Sequence, residues 1–338
     1  MKGVLDSSGK RVVIQPPLHN ERYGCFHPKL MLLFYEGSMR VVIGSANLVS
    51  EPYDYNELDN VVFIQDFPER PSTDPPCGIN DLPQFARDIA DLLDRMQVPR
   101  SVKQTLAKYD FSKAKAKIVA SVSGVFEGDD DYKKFGHPRL ATVIEQIGAA
   151  DPLRPPRVEM QTSSLGAMTV QYLNELYTSF SGRDPYDNPA MRKMYKKPTS
   201  LPPINIVFPT WQTVERSKLG PPGAGTIFLS SEHWAKPTFP KSVMCDAISH
   251  RSGTLMHTKH VTFVYVMSCR SHNATAAAWG RLTLSKEKLP KLTMSNWELG
   301  VVLPMDKNSE YPSPYVRPAP KYRSDQQPWL QDLYHGFS

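Results

Sequence analysis

The run Phe26-His27-Pro28-Lys29-Leu30-Met31-Leu32-Leu33-Phe34-Tyr35-Glu36-Gly37-Ser38-Met39-Arg40-Val41-Val42-Ile43-Gly44-Ser45-Ala46-Asn47 reads as two apolar strands around a turn. The strands are predicted at 30–35 and 39–43, and Glu36-Gly37-Ser38 supplies the turn. Residues two apart on a strand share a face, so His27 and Lys29 project together. The midpoint between His27 and Asn47 is Gly37, so antiparallel pairing about that glycine brings Asn47 back beside His27. An imidazole, an ammonium and a carboxamide then converge. Lys29 and Asn47 suit a phosphate oxygen, and a neutral imidazole is a competent nucleophile at phosphorus.

The pattern occurs twice. His257-Thr258-Lys259 also runs into an apolar segment and is also followed by Ser-x-Asn, as Ser271-His272-Asn273. Two such half-sites facing one another make a complete phosphodiesterase. One histidine takes the phosphoryl group, and the other protonates the leaving oxygen and then activates water. Two lysines offset the developing charge, and the sequence holds no acidic or cysteine cluster with metal-ligand spacing. No metal and no cofactor is expected.

The second copy departs from the first. Its His-to-Asn spacing is 16 residues rather than 20, and its midpoint falls at Tyr265, inside a run of strand formers with no turn residue. A single strand is therefore expected over 261–266, with either another connection or a misplaced Asn273.

Outward from these motifs, 31 prolines divide the 338 residues into short elements. Strands are predicted at 11–15, 60–64, 116–122, 204–208 and 299–303, and helices around 140–147 and 168–179. The clearest helix has Leu82, Phe85, Ile89, Leu92, Leu93 and Met96 at three- and four-residue steps. Asn80 or Asp81 is placed to cap it. Mixed strands and helices indicate α/β layers. The tail from 304 reads as irregular.

Composition bounds the rest. Lys+Arg number 40 against 34 Asp+Glu, a formal charge of +6 that favours polyanionic partners. Apolar residues make up 40%, enough for a core, and no apolar run approaches the ~20 residues of a membrane span. Four scattered cysteines suggest neither a zinc knuckle nor a disulfide framework. The first fifteen residues lack a signal-peptide core, so a soluble intracellular protein is expected. Arg192-Lys193-Met194-Tyr195-Lys196-Lys197 reads as a solvated loop that doubles as a weak nuclear-import signal. His19, His137, His233 and His335 have no convergent partners, and Trp279 reads as core.

Further segments carry a resemblance: Gly136-His137-Pro138-Arg139-Leu140, Ser163-Ser164-Leu165-Gly166, Ala277-Ala278-Trp279-Gly280, Trp297-Glu298-Leu299-Gly300-Val301 and Asp325-Gln326-Gln327-Pro328-Trp329. With the two motifs, they resemble the phospholipase D superfamily. The asparagines stand where its lipases and nucleases carry aspartate, which makes the chain similar to the tyrosyl-DNA phosphodiesterase family, in a fungal-like version. The resemblance implies an α/β fold of two similar α-β-α sandwich domains, here 1–114 and 115–338. Only 26 residues precede His27, so the first domain is expected to be incomplete. It implies His27 as nucleophile and His257 as general acid, then base. Lys29, Lys259, Asn47 and Asn273 would hold the phosphate, and Glu298 would orient a histidine. Tyr23 would stack on DNA, and Ser163 and Ser164 would contact its backbone.

The implied activity is metal-independent hydrolysis of the 3′-phosphotyrosyl bond between topoisomerase I and DNA, or of other 3′ adducts. The implied partner is a single-stranded or duplex DNA 3′ end carrying a topoisomerase peptide. A monomer acting in the nucleus, away from membranes, is expected. A catalytically impaired DNA-binding remnant is the alternative, followed by another phospholipase or nuclease of the superfamily.

Overall fold

The computed structural model describes residues 4–5, 12–47, 58–128, 130–151, 153–154, 156–186, 200–263, 266–305 and 313–334. Strands β3 (Leu30–Tyr35) and β4 (Ser38–Gly44) form the expected hairpin, pairing Leu30 with Ile43 and Tyr35 with Ser38. Gly37 takes φ +73°, a left-handed conformation that costs glycine little. Strand β6 (Val62–Pro68) pairs with β4 and completes a three-stranded antiparallel sheet.

Alternation decides which face of this sheet is covered. Met39, Val41 and Ile43 are fully buried and pack in one cluster with Phe85, Ile89, Leu92 and Leu93 of helix α1 (Gln84–Arg95). Each such buried side chain contributes about 1.5–3 kcal/mol of transfer free energy. Helix α1 begins later than its periodicity suggests. Asn80 and Asp81 belong to a separate one-turn helix at Ile79–Asp81, which Asp81 closes by accepting from Gly78 N. Leu82 is extended because it precedes Pro83, which disfavours the helical conformation there. A short helix α2 (Arg100–Thr105) follows.

The largest sheet has seven strands in the order β13 (Met244–Cys245), β11 (Ile204–Val207), β9 (Val158–Gln161), β15 (His260–Phe263), β16 (Val266–Arg270), β19 (Glu298–Pro304) and β7 (Lys117–Ser121). Strands β9, β11 and β13 are mutually parallel, and the other pairings are antiparallel. Val119 and Val302 face a cluster with helices α3 (Gly136–Gln146) and α4 (Val170–Phe180). Ile118, Ala120, Leu299 and Val301 face the α1 cluster instead. The strands β7 and β19 are thus covered on both sides, as in a layered α/β fold.

Smaller pairings complete the fold. Strands β8 (Gly124–Glu127), β17 (Arg281–Leu284) and β18 (Pro290–Met294) form a meander-like sheet. Strands β10 (Ser164–Leu165) and β12 (Phe228–Leu229) pair in parallel, and so do β5 (Leu58–Asp59) and β14 (Leu255–Met256). Of the described residues in the strand expected at 11–15, only β2 (Val12–Val13) is formed, against β1 (Val4–Leu5). The tail over 313–334 is irregular apart from a turn at Gln331–Leu333, yet Tyr315 and Trp329 are fully buried. The basic cluster 192–197 lies outside the described residues.

The expected single strand over 261–266 is corrected by the structure. Strand β15 ends at Phe263, and β16 begins at Val266 and returns antiparallel to it, pairing Phe263 with Val266 and His260 with Cys269. Both hairpins start one residue after their lysine. In both, the asparagine lies one residue beyond the position opposite its histidine. The first hairpin pairs six residues with six and the second four with four, so 20 becomes 16 with no change of register. Asn273 is therefore not misplaced.

Candidate active site

The two halves complete one another. The segment before His27 bridges in parallel to that before Glu298, at Phe26 and Trp297, and His27 N donates to Trp297 O at 3.1 Å. The segment before His257 pairs with that before Asn60, at Met256 and Asp59, and His257 N donates to Asp59 O at 2.8 Å. Each histidine is thereby set beside an acceptor from a distant part of the chain. His27 Nδ1 donates to Glu298 Oε2 at 2.7 Å, and His257 Nδ1 donates to Asn60 Oδ1 at 3.1 Å.

The motif serines serve the same acceptors. Ser271 Oγ donates to Glu298 Oε2 at 2.5 Å while accepting Leu299 N at 3.0 Å. Ser45 Oγ donates to Asn60 Oδ1 at 2.9 Å while accepting Val61 N at 3.0 Å. The hydrogen bonds repeat residue for residue, which gives the site a pseudo-twofold relation. With Nδ1 carrying the proton, each neutral ring has its lone pair on Nε2, the nitrogen free for chemistry.

The halves differ in the acceptor each histidine meets. Glu298 is a fully buried carboxylate that accepts from His27, Ser271 and Asn296 Nδ2. Asn60 is a neutral amide. A carboxylate makes a charge-assisted hydrogen bond to its imidazole and an amide only a neutral one, so the two rings are held unequally.

Both lysines fold back on their own motif, Lys29 Nζ donating to His27 O at 2.8 Å and Lys259 Nζ to His257 O at 2.6 Å. Their charges crowd one small volume. Burial, and then the charges of Lys259, Lys29 and His27, push the His257 imidazole down to about 2. Burial lowers Lys29 to about 8, against an opposing pull from Glu298. Fully buried Lys259 lies well below the usual lysine range, through burial and then Lys29. Ser45 of the first half bonds the acceptor of His257 and Ser271 of the second bonds the acceptor of His27, so the half-sites share one cluster. Cationic side chains that depress one another are relieved by an anion.

Asn273 is half-buried, and its Oδ1 accepts from Ser163 Oγ at 3.1 Å, leaving its amino end for a ligand. Asn47 is exposed, and with Lys29 it borders a cavity of about 560 Å³ floored by Met31, Leu33 and Val42. A larger cavity of about 860 Å³ lies against α1 and α2 and shares no residue with this cluster. Tyr23 is exposed four residues before His27, with the Arg22 guanidinium 5.1 Å from its ring centre.

Ser163 is fully buried, and its hydroxyl donates to Asn273 Oδ1, holding the amide. Ser164 is half-buried in β10, and its carbonyl accepts Ala274 N at 3.2 Å. His137 is structural, held between Ser179 Oγ at 2.8 Å and Glu175 Oε1 at 3.1 Å. His272 is buried, bonded to Ser121 Oγ at 3.1 Å and stacked on Trp279 at 4.4 Å.

Asn60, Ser45 and Ser271 were missing from the sequence-derived set. The serines had a signal in the repeated Ser-x-Asn, whereas Asn60 had none beyond following Asn47. Among the described residues, no group of three or more His, Cys, Asp or Glu could hold a metal ion. No described helix is long and apolar enough to cross a membrane.

Two His-x-Lys hairpins, each completed by an acceptor from the other half, define a phospholipase D fold. The family model described as tyrosyl-DNA phosphodiesterase matches residues 6–328, and the chain belongs to that family. It is 28% identical over 313 residues to tyrosyl-DNA phosphodiesterase 1 of Arabidopsis thaliana, covering 84% of this chain and 48% of that protein. It is 26% identical over 343 residues to tyrosyl-DNA phosphodiesterase 1 of Drosophila melanogaster, covering 92% and 57%. The chain thus spans about half the length of these relatives. A crystal structure of yeast tyrosyl-DNA phosphodiesterase superposes with a TM-score of 0.63 at 16% identity, covering 90% of this chain and 77% of that one. A mutant of the yeast protein superposes equally, at 17% identity and 92% and 78% coverage.

Proposed function

We propose that this chain is a phosphodiesterase of DNA repair that hydrolyses the 3′-phosphotyrosyl bond joining topoisomerase I to DNA, through a phosphohistidine intermediate and without a metal. The observation that carries the reading is the reciprocal pairing of His27 with Glu298 and His257 with Asn60 around two lysines.

The chemistry follows from that asymmetry. Glu298 holds the Nδ1 proton of His27 and strengthens Nε2 as nucleophile. His27 Nε2 attacks phosphorus, and the bond from phosphorus to the tyrosine oxygen breaks. Lys29, Lys259, Asn47 and Asn273 stabilise the charge on the phosphoryl oxygens. His257 gives a proton to the departing phenolate. Then, as a neutral base, it takes one from the water that releases DNA from His27. The free site keeps His257 neutral, whereas a bound phosphodiester offsets both lysines and favours its protonation.

Such a substrate belongs to the nucleus, in keeping with the localisation expected from sequence. The 16-residue spacing follows from a shorter hairpin in the same register, so it gives no support to a non-catalytic DNA-binding remnant. The test is release of tyrosine from a 3′-phosphotyrosyl oligonucleotide in EDTA. His27→Ala should abolish it, and full activity in that variant would remove His27 as nucleophile.

A further inference from the structure

Asp59 precedes Asn60 and Trp297 precedes Glu298, so the two occupy equivalent places in the pseudo-twofold relation. Each lends its carbonyl to a histidine N–H, and each anchors the strand bridge that brings an acceptor to a ring. The anchors are chemically unlike. Trp297 is fully buried, packs on the Phe26 ring at 6.1 Å and donates its indole N–H to Pro17 O at 2.8 Å. Asp59 is a carboxylate, only 5% exposed, in a ladder of two residue pairs. Its Oδ1 accepts from Arg251 Nη1 at 2.8 Å and its Oδ2 from Ser249 Oγ, which in turn accepts Arg251 N at 2.9 Å.

We propose that Asp59 and Arg251 form a positioning pair for His257, clamping β5 to β14 so that Asn60 Oδ1 stays on His257 Nδ1. The proposal rests on the reading that His257 serves as acid and then base. His27 is oriented by a carboxylate bond, which is about twice as strong as one between neutral groups. His257 is held by the neutral Asn60 contact, so its ring depends more on where the backbone puts that amide. Without Arg251, Asp59 is a buried carboxylate lacking its counter-charge, and the two-pair ladder must shift to let water reach it. A misplacement of about 1 Å at a catalytic group can cost about a hundredfold in rate. Only the half carrying His257 is exposed to that loss.

The step that relies most on His257 is breakdown of the covalent intermediate, because activating water needs a correctly aimed base. Single-turnover reactions on a 3′-phosphotyrosyl oligonucleotide separate adduct formation from adduct breakdown on a gel. Arg251→Ala, a change at a half-exposed side chain, should leave formation within about twofold and slow breakdown about tenfold or more. Arg251→Lys should restore breakdown to within about threefold, since an ammonium keeps the pair without the fork. Breakdown as fast as in the unaltered protein, or both steps slowed equally, would overturn the proposal. If the unaltered protein neither cleaves nor forms adduct, the functional reading fails by itself. The ¹⁵N resonance of His257 Nδ1 then decides the positioning: its displacement in Arg251→Ala supports the clamp, and an unmoved resonance refutes it. Asp59→Asn should reproduce Arg251→Ala in both readouts if it folds, and Arg251→Ala suffices if it does not.

Discussion

Replacing Lys29 with Met should make the free protein more stable while removing its activity. In the native state the Lys29 ammonium is held at about 8 against 10.5 for a free lysine, mainly by burial. Keeping it protonated at pH 7 therefore costs roughly 3 kcal/mol relative to the unfolded chain. Its hydrogen bond to His27 O at 2.8 Å returns roughly 1 kcal/mol, which Met forfeits. The expected net gain for Lys29→Met is roughly 2 kcal/mol, read as a raised urea midpoint with an unchanged slope. The sign with pH is fixed too. The unfolded chain binds this proton more tightly than the native one, so the stability of the unaltered protein rises between pH 8 and 10.5. Lys29→Met should lack that rise. Sulfate should stabilise the unaltered protein and narrow the gap, because an anion between the half-sites compensates both lysines. Measurements belong in chloride buffer. A variant less stable than the unaltered protein in the absence of oxyanions would refute this reasoning.

Two further predictions follow from the same geometry. Sulfate affinity should fall by up to about tenfold per unit as the pH rises above about 8, as Lys29 loses its proton; calorimetric titration showing no pH dependence there would contradict the assignment of Lys29 to the anion. Ser163→Ala should lower turnover about tenfold by freeing the Asn273 amide, with DNA affinity changed by less than about twofold; a large loss of affinity with turnover intact would instead make Ser163 a DNA contact.

The parts of this protein that were readable in sequence are those whose signal is local. The β3–β4 hairpin announces itself through Gly37 at the midpoint of the motif, and α1 through apolar residues at helical spacing. The β15–β16 hairpin does not, since the residues between its strands, Val264 and Tyr265, are strand formers, and the long-range ladders to β9 and β19 decide where the chain reverses. Asn60 was invisible for a related reason. Its role is created by a two-residue parallel ladder to a segment almost 200 positions away, which no periodicity encodes. Glu298 was reached only through the family resemblance. The burial of Ser163 was hidden because hydroxyl residues are usually exposed.

Covalent capture tests the two-histidine chemistry most directly. The His257→Asn variant, incubated with a 3′-phosphotyrosyl oligonucleotide, quenched at alkaline pH and digested, should yield DNA joined to the peptide containing His27. The account predicts that linkage at His27 alone, and loss of the adduct when His27 is also replaced. DNA attached to another residue, or tyrosine release with no adduct at any time point, would contradict it.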